Sequence, residues 1–301
     1  MYYSNSYDIL FIDINEINIV DKGVIYFMNC KKRLILILAM LTAATMMFTG
    51  CKKNDTQSSK PEASSQVQSE VSSEKPESKT QPQQTPGIVE ESEKADFSYL
   101  DDAVFIGDSV SLKLKNYVTA KRKSDSGFFG KAQFLTAGSM GSGNALKPLN
   151  EKSIHPTYKG TKALLEDSVA AMKAKKVYIM LGMNDITIYG PDGAVENMHK
   201  LIDKIKQKSP DAKFFVQSAT PMVEQAQRTH LNNRNVKKYD DNLKKMCEEK
   251  GYYFVDVASV FRDDKGNLPV EYCSDPNDMG IHFTDKACEA WIDYILTHTV
   301  K

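Results

Sequence analysis

From about Asp96 onward, short apolar runs alternate with longer stretches in which apolar residues recur every three or four positions. The runs at 103–106, 133–135, 177–181, 214–217 and 252–255 are rich in β-branched and aromatic residues. Each is too short for an ordinary helix and stops at Gly, Ser, Thr or Asp, which marks buried strands. Between them, Leu164, Val169 and Met172 mark one helix, and Val195, Met198, Ile202 and Ile205 stripe a second over 194–208. Tyr239, Leu243, Met246 and Cys247 stripe a third over 231–249, and Cys288, Trp291, Ile292 and Ile295 mark a last one. Alternating strands and helices predict a mostly parallel sheet covered on both faces. The expected domain is therefore an α/β three-layer sandwich with five strands, spanning 96–301.

The first part of the chain follows another pattern. Residues 52–94 are rich in Ser, Gln, Glu, Lys and Pro and hold no aromatic residue. Such a segment cannot bury enough apolar surface to offset its ordering entropy. It reads as a flexible tether over 51–95, with a root-mean-square reach of roughly 35–40 Å at about 5–6 Å per square root of residue number. Before it, Lys31, Lys32 and Arg33 precede an apolar run from Leu34 to Phe48 and the small residues Thr49 and Gly50. A basic start, a short apolar core and small residues before a cut define a secretory signal, here over 28–50. The run is too short for a comfortable membrane span. Phe48-Thr49-Gly50-Cys51 resembles the bacterial lipobox, which implies cleavage before Cys51 and lipid attachment to its sulfur. Residues 1–27 fit poorly upstream of a signal, so translation is expected to start at Met28.

Composition narrows the function. Lys+Arg and Asp+Glu both total 39 in 301 residues, 41% of them hydrophobic. That balance lacks the basic footprint of a nucleic-acid binder and gives no electrostatic reason for a polyanionic substrate. The domain carries three cysteines: Cys247 and Cys288 on apolar helix faces, expected as buried thiols, and Cys273. A Cys273–Cys288 disulfide is open in an oxidising exterior, although the odd count argues against a disulfide framework. No Cys/His cluster has zinc spacing, and neither metal nor cofactor is expected.

The candidate chemistry lies at the ends of the predicted strands. The first strand runs into Gly107-Asp108-Ser109 at the start of a helix. Sites of open α/β sheets form at the carboxyl ends of strands. There, a helix N-terminus favours developing negative charge on a nucleophile. Alone, a Ser at that point is an ordinary helix cap. It is not alone. The second strand ends near Gly138, whose bare backbone lets an N–H approach a substrate oxygen. The third ends in Gly182-Met183-Asn184-Asp185, where the Asn184 amide can donate to the same oxygen. Near the C-terminus, Gly280-Ile281-His282-Phe283-Thr284 precedes the last helix and can carry a histidine back to that edge.

These four blocks, in this order and after these elements, resemble the SGNH hydrolase superfamily of GDSL-type esterases and lipases, over about 102–291. The resemblance implies a flavodoxin-like fold and acyl transfer through a covalent intermediate. It implies Ser109 as nucleophile, His282 as base, and the N–H groups of Ser109 and Gly138 with the Asn184 amide as oxyanion donors. Asp108 is expected to shape the nucleophile loop and Asp185 to act as a structural cap. The sequence departs from the family at one point. An Asp three residues before the His is usual, and Met279 stands there. Asp278 is the candidate orienting acid if the loop carries an extra-residue bulge, and Asp275 lies further off. A backbone carbonyl in its place leaves a Ser–His dyad, and the dyad is the favoured expectation.

His155, His199, His230 and His298 are expected in surface or packing roles, although loops holding His155, Tyr189 and His230 can line a cleft. Met183 is expected to pack near it without a chemical role. The leading function is an extracytoplasmic, lipid-anchored esterase acting on a small or glycan ester, with O-acetyl groups on a wall polysaccharide favoured. Lipid esters rank lower, because no long apolar lid segment is present. The rival is a non-catalytic glycan-binding module on the same fold, to which the absent Asp gives weight.

Overall fold

Six parallel strands, two more residues of chain than expected at one edge, form the central sheet of the computed structural model, which describes residues 85–300. The expectations for the leader, for Cys51 and for most of the tether fall outside the described residues. The strands are β1 (Gly87–Ile88), β2 (Ala103–Gly107), β3 (Gln133–Thr136), β6 (Lys176–Met180), β7 (Lys213–Gln217) and β8 (Tyr253–Val255), with a small antiparallel hairpin, β4 (Thr157–Tyr158) and β5 (Thr161–Lys162), outside the sheet. The helices are α1 (Ser109–Lys121), α2 (Ser142–Ala145), α3 (Leu165–Met172), α4 (Met183–Lys208), α5 (Asn233–Lys250) and α6 (Asp285–Thr297).

The strand order is β1-β8-β7-β6-β2-β3. The chain leaves β2 for β3 on one side, then returns to β6 on the other. This places the topological switch point, where open α/β sheets bind ligands, at the carboxyl end of β2. The five expected strands are all present. The sixth, β1, lies in the segment that the sequence pattern assigns to the tether. Gly87 and Val89 donate backbone hydrogen bonds to Tyr252 and Phe254, both at 2.9 Å, and Ser92 and Ala95 donate to Thr297 and Leu296. A two-residue strand held only by edge pairing leaves almost no hydrophobic pattern to read.

Alternation along the strands sorts the core into two faces, as the pleat requires. Ala103, Phe105, Tyr178, Met180, Phe215, Tyr253 and Val255 face α1 and α6, through Leu114, Val118, Trp291 and Ile295. Val104, Ile106, Val177, Ile179, Phe214, Val216 and Phe254 face α3, α4 and α5, through Val169, Met198, Ile202 and Leu243. On the first face the register sets Phe134, Phe105, Tyr178, Phe215 and Tyr253 side by side. Four of these rings form a stacked row across the sheet, with centroids 4.7, 4.5 and 5.0 Å apart. Trp291 is fully buried on α6 and donates from Nε1 to the Gln217 side chain at 2.8 Å.

Helix α4 begins eleven residues before the stripe that predicts it, because Gly190 (φ 67°) and Pro191 break its regular path. The segment before that break holds Asn184 and Asp185 and carries no long apolar stripe. Cys247, Cys273 and Cys288 are all free and buried, so the disulfide left open by the sequence is not formed. Among the described residues, no helix is long and apolar enough to cross a membrane.

Candidate active site

Register alone brings three of the four predicted blocks together. Gly107 at the end of β2 lies opposite Thr136 of β3 and Met180 of β6. Ser109, Gly138 and Gly182 each stand two residues beyond that row, so three loops leave the sheet side by side. Gly107 must be glycine, because a β-carbon there would run into Ser111 of the first turn of α1 and sit 2.8 Å from the Met180 carbonyl. That close fit turns the chain sharply into the helix and presents Ser109 at its N-terminus. Asp108 is the N-cap: its Oδ1 accepts from the Val110 N–H at 3.0 Å.

Ser109 is half-buried, and its Oγ lies 3.0 Å from Nε2 of His282. On the other side of the ring, Nδ1 of His282 lies 2.6 Å from Oδ2 of Asp275. The carboxylate against the ring is therefore that of Asp275, seven residues before the histidine. Both expectations drawn from the sequence are corrected. No dyad is left to a backbone carbonyl, and the Asp278 candidate is an exposed residue whose N–H closes a turn onto the Asp275 carbonyl at 3.0 Å. The turn explains the spacing. Asp275-Pro276 has the residues that open a type I turn, and Gly280, at φ 66°, returns its N–H to the Asp275 carbonyl at 3.0 Å. The positive φ suits glycine, and a β-carbon there would collide with Ala226 and Val223. The loop thus folds the acid back under the histidine. Oδ1 of Asp275 accepts the N–H groups of Ile281 and His282 at 3.2 and 3.0 Å. Burial raises the pKa of Asp275, but the hydrogen bonds from His282 and Cys273 outweigh it and hold the carboxyl below its usual range.

Beyond the end of β6, Nδ2 of Asn184 lies 3.1 Å from Oδ2 of Asp108 and 3.2 Å from the Met140 carbonyl. The structure thus ties Asn184 to the nucleophile loop. It also occupies both hydrogens of the amide, so holding an oxyanion requires one of them to be shared or handed over. Asp108 is buried, which pushes its pKa up to about 6, against the opposing effects of the Val110 N–H, His282 and Asn184. Gly138 is exposed, with open space where a β-carbon would stand. The Ser109 N–H is at the first position of α1, where no intrahelical acceptor exists. Asp185 caps a helix, although not its own. Its carboxylate accepts from Ser142 and Gly143 N–H groups of α2 at 2.7 and 2.9 Å, joining the β6 loop to the β3 loop.

The other candidates stand apart. His155 is buried, with Nε2 3.0 Å from the Lys147 carbonyl. His199 pairs with Asp203, His298 stacks on Tyr294, and His230 is exposed. Tyr189 sits against Gly143, where it would crowd any side chain. Met183 is buried in the core. A cavity of about 570 Å³ lies between α5 and the turn at 262–267, lined by Arg234, Lys237, Arg262 and Lys265 among others, and includes none of Ser109, His282 or Asp275. Among the described residues, no group of three or more His, Cys, Asp or Glu is placed to hold a metal ion.

Residues 152–290 match the model of the GDSL-like Lipase/Acylhydrolase family. That span holds Asn184, Asp275 and His282 and begins after Ser109 and Gly138. No curated protein matches the chain. Among solved structures, the chain is similar to a GDSL-like lipase from Bacteroides thetaiotaomicron, at 14% identity over 64% of this chain and 84% of that one, with a TM-score of 0.47. It is similar to the periplasmic domain of a lipopolysaccharide acetyltransferase from Salmonella ser. Paratyphi A, at 14% identity over 65% and 82%, with a TM-score of 0.45. It is also similar to an acetyl xylan esterase, at 13% identity over 64% and 96%, with a TM-score of 0.46.

Proposed function

We propose that this chain is a serine esterase that hydrolyses carboxylic esters through an acyl-enzyme intermediate. We further propose that it works outside the cytoplasm, tethered by lipid at Cys51, on O-acetyl groups of a wall polysaccharide or similar glycan. The observation that carries the reading is the unbroken line from Ser109 Oγ to His282 Nε2 at 3.0 Å and from His282 Nδ1 to Asp275 at 2.6 Å. A nucleophile, a base and an orienter in hydrogen-bond reach of one another are what acyl transfer requires.

In this reading, Ser109 Oγ attacks the ester carbonyl and its proton passes to His282 Nε2. Asp275 fixes the ring with its other nitrogen protonated and stabilises the imidazolium. The backbone N–H groups of Ser109 and Gly138, with an Asn184 hydrogen, hold the oxyanion. His282 returns the proton to the departing alcohol. Water, deprotonated by the same histidine, then attacks the acyl-serine, and the histidine passes that proton to Ser109 Oγ as the acid leaves. Asp275 supplies the acid whose expected absence favoured a non-catalytic module, so the weight moves to the enzyme. A short acyl group is consistent with a sequence that has no long apolar lid segment.

Turnover of p-nitrophenyl acetate by the purified chain tests the chemistry. Ser109→Ala should abolish it to within background, and equal turnover by the two proteins would sink the reading. Acetate release from an O-acetylated polysaccharide, set against cleavage of long-chain p-nitrophenyl esters, tests the substrate class. A preference for the long chains would replace the glycan by a lipid. Fatty-acid labelling in cells should be lost in Cys51→Ala, and retained labelling would remove the anchor.

A further inference from the structure

Asp275 receives one donor that the expected chemistry does not call for. The Cys273 thiol lies two residues before it, with Sγ 3.2 Å from Oδ1, the oxygen that also accepts the N–H groups of Ile281 and His282. Cys273 itself is held firmly. It is buried at 5% exposure, and it pairs with Phe283 in an isolated antiparallel bridge across the loop. Next to it, the Ser274 N–H donates to the His282 carbonyl at 2.8 Å. The thiol thus stands at the closed base of the loop, while the acid sits at the start of the turn that fills it.

We propose that Cys273 is a positioning residue for the Asp275–His282 pair: its S–H completes a three-donor cradle around Oδ1, so that Oδ2 is the oxygen left to face His282 Nδ1. The proposal rests on the esterase reading and adds to it a residue for which the sequence suggested only a disulfide. The need for such a cradle follows from the loop. An orienting acid three residues before its histidine is fixed by the short chain between them. An acid seven residues away has more backbone freedom and depends on its own hydrogen bonds to stay in place. Three donors on one oxygen, with the imidazole on the other, leave a single rotamer that satisfies the whole group.

The chemistry of the thiol fits a donor. Burial pushes Cys273 up to about 11, against a backbone hydrogen bond with Asp275 and with the Asp275 carboxylate adding to the rise, so the sulfur keeps its proton near neutral pH. The same contact helps to hold Asp275 below the usual carboxylate range, after the contributions of the His282 ring and backbone. A thiolate here would instead repel the carboxylate and turn it away from the histidine. Oxygen can replace sulfur in this role and a methyl group cannot, which separates the proposal from simple packing.

The experiment compares the full chain with Cys273→Ala and Cys273→Ser. Cys273→Ala should lower kcat by roughly ten-fold, the effect of losing one hydrogen bond to a charged group. Its KM should stay within about two-fold of the parent, because the ester itself is not touched. Cys273→Ser should restore most of the loss. In the Asp275→Asn background, Cys273→Ala should add nothing further, since its action runs through that carboxylate. The second readout needs no substrate. The proton NMR resonance of the His282 Nδ1–H, hydrogen-bonded to Asp275, should broaden through exchange with water in Cys273→Ala and persist in Cys273→Ser. An unchanged resonance in Cys273→Ala with native circular dichroism would overturn the proposal. So would a loss of kcat as large in the Asp275→Asn background as in the parent, or one not repaired by serine. A parent chain that turns over no ester at all would count against the esterase reading, and the resonance would still decide the role of Cys273.

Discussion

Ser109 and His282 meet at 3.0 Å, yet the protein holds them by opposite means. Ser109 is the first residue of α1, directly beyond β2, and β2 is paired on both sides. Its position is a consequence of sheet register and of a helix packed through Val110, Leu114 and Val118 into the core. His282 stands in an irregular loop between the buried residues Ile281 and Phe283, and its aim depends on Asp275 and on a turn closed by Gly280. Ser109 therefore shares the stability of the core, and His282 depends on a few hydrogen bonds at its rim. The consequence is an uneven sensitivity to substitution: polar changes in the His282 loop should disturb catalysis while the fold survives.

Asp275→Asn is the strongest way to break that contrast. An amide can present its N–H₂ to the ring and favour the wrong tautomer, which in a Ser-His-Asp protease costs about ten-thousand-fold in kcat. A similar loss is expected here, measured by steady-state kinetics on p-nitrophenyl acetate, with far-UV circular dichroism unchanged. A second measurement checks the charge. Asp275 is held low, so its contribution to stability is present above the usual carboxylate range and is lost as pH falls through its lowered folded value. Asp275→Asn should flatten the acid limb of thermal midpoint against pH. A full acid limb in the variant would mean that other carboxylates set it.

Asn184→Ala probes the nucleophile side. Removing one oxyanion donor costs roughly a hundred- to a thousand-fold in kcat, and the contacts of Asn184 with Asp108 and the Met140 carbonyl would go with it. A change confined to KM would mean that the amide only binds substrate. Asp278→Asn should have the smallest effect, within about two-fold in kcat, because the side chain is exposed and the turn uses its backbone N–H. A loss comparable to that of Asp275→Asn would transfer the acid's role and undo the contrast between the two loops.

The same contrast decides what was legible in the chain. The strands were readable as short apolar runs rich in β-branched and aromatic residues, and the helices because apolar positions recur every three or four residues and report burial directly. The places of Ser109, Gly138 and Asn184 were readable because each lies shortly beyond the end of such a run. Asp275 was not, because nothing periodic links it to His282. The usable signal was turn chemistry: Asp-Pro at 275–276 and a glycine at 280 spell a fold-back that shortens a seven-residue gap in space. Counting back from the histidine along an unfolded loop led instead to Asp278. Strand β1 escaped for a related reason. Its two residues sit in a polar segment, and only pairing with β8, far along the chain, makes them a strand. Cys273 shows the limit most plainly, since a buried thiol on an apolar bridge and a thiol serving a carboxylate look identical in sequence.

Trp291 gives the molecule a built-in optical reporter. It is the sole tryptophan of the 301 residues, and it lies fully buried on the helix that follows His282. Emission excited at the red edge of indole absorption therefore comes from one ring, in one environment, next to the Phe283 side chain at a centroid distance of 5.8 Å. No tryptophan in residues 1–84 dilutes that signal. Loosening of the segment that carries His282 should shift the emission to longer wavelength and open the ring to acrylamide quenching. Changes around Ser109 that leave α6 seated should stay dark to the same probe.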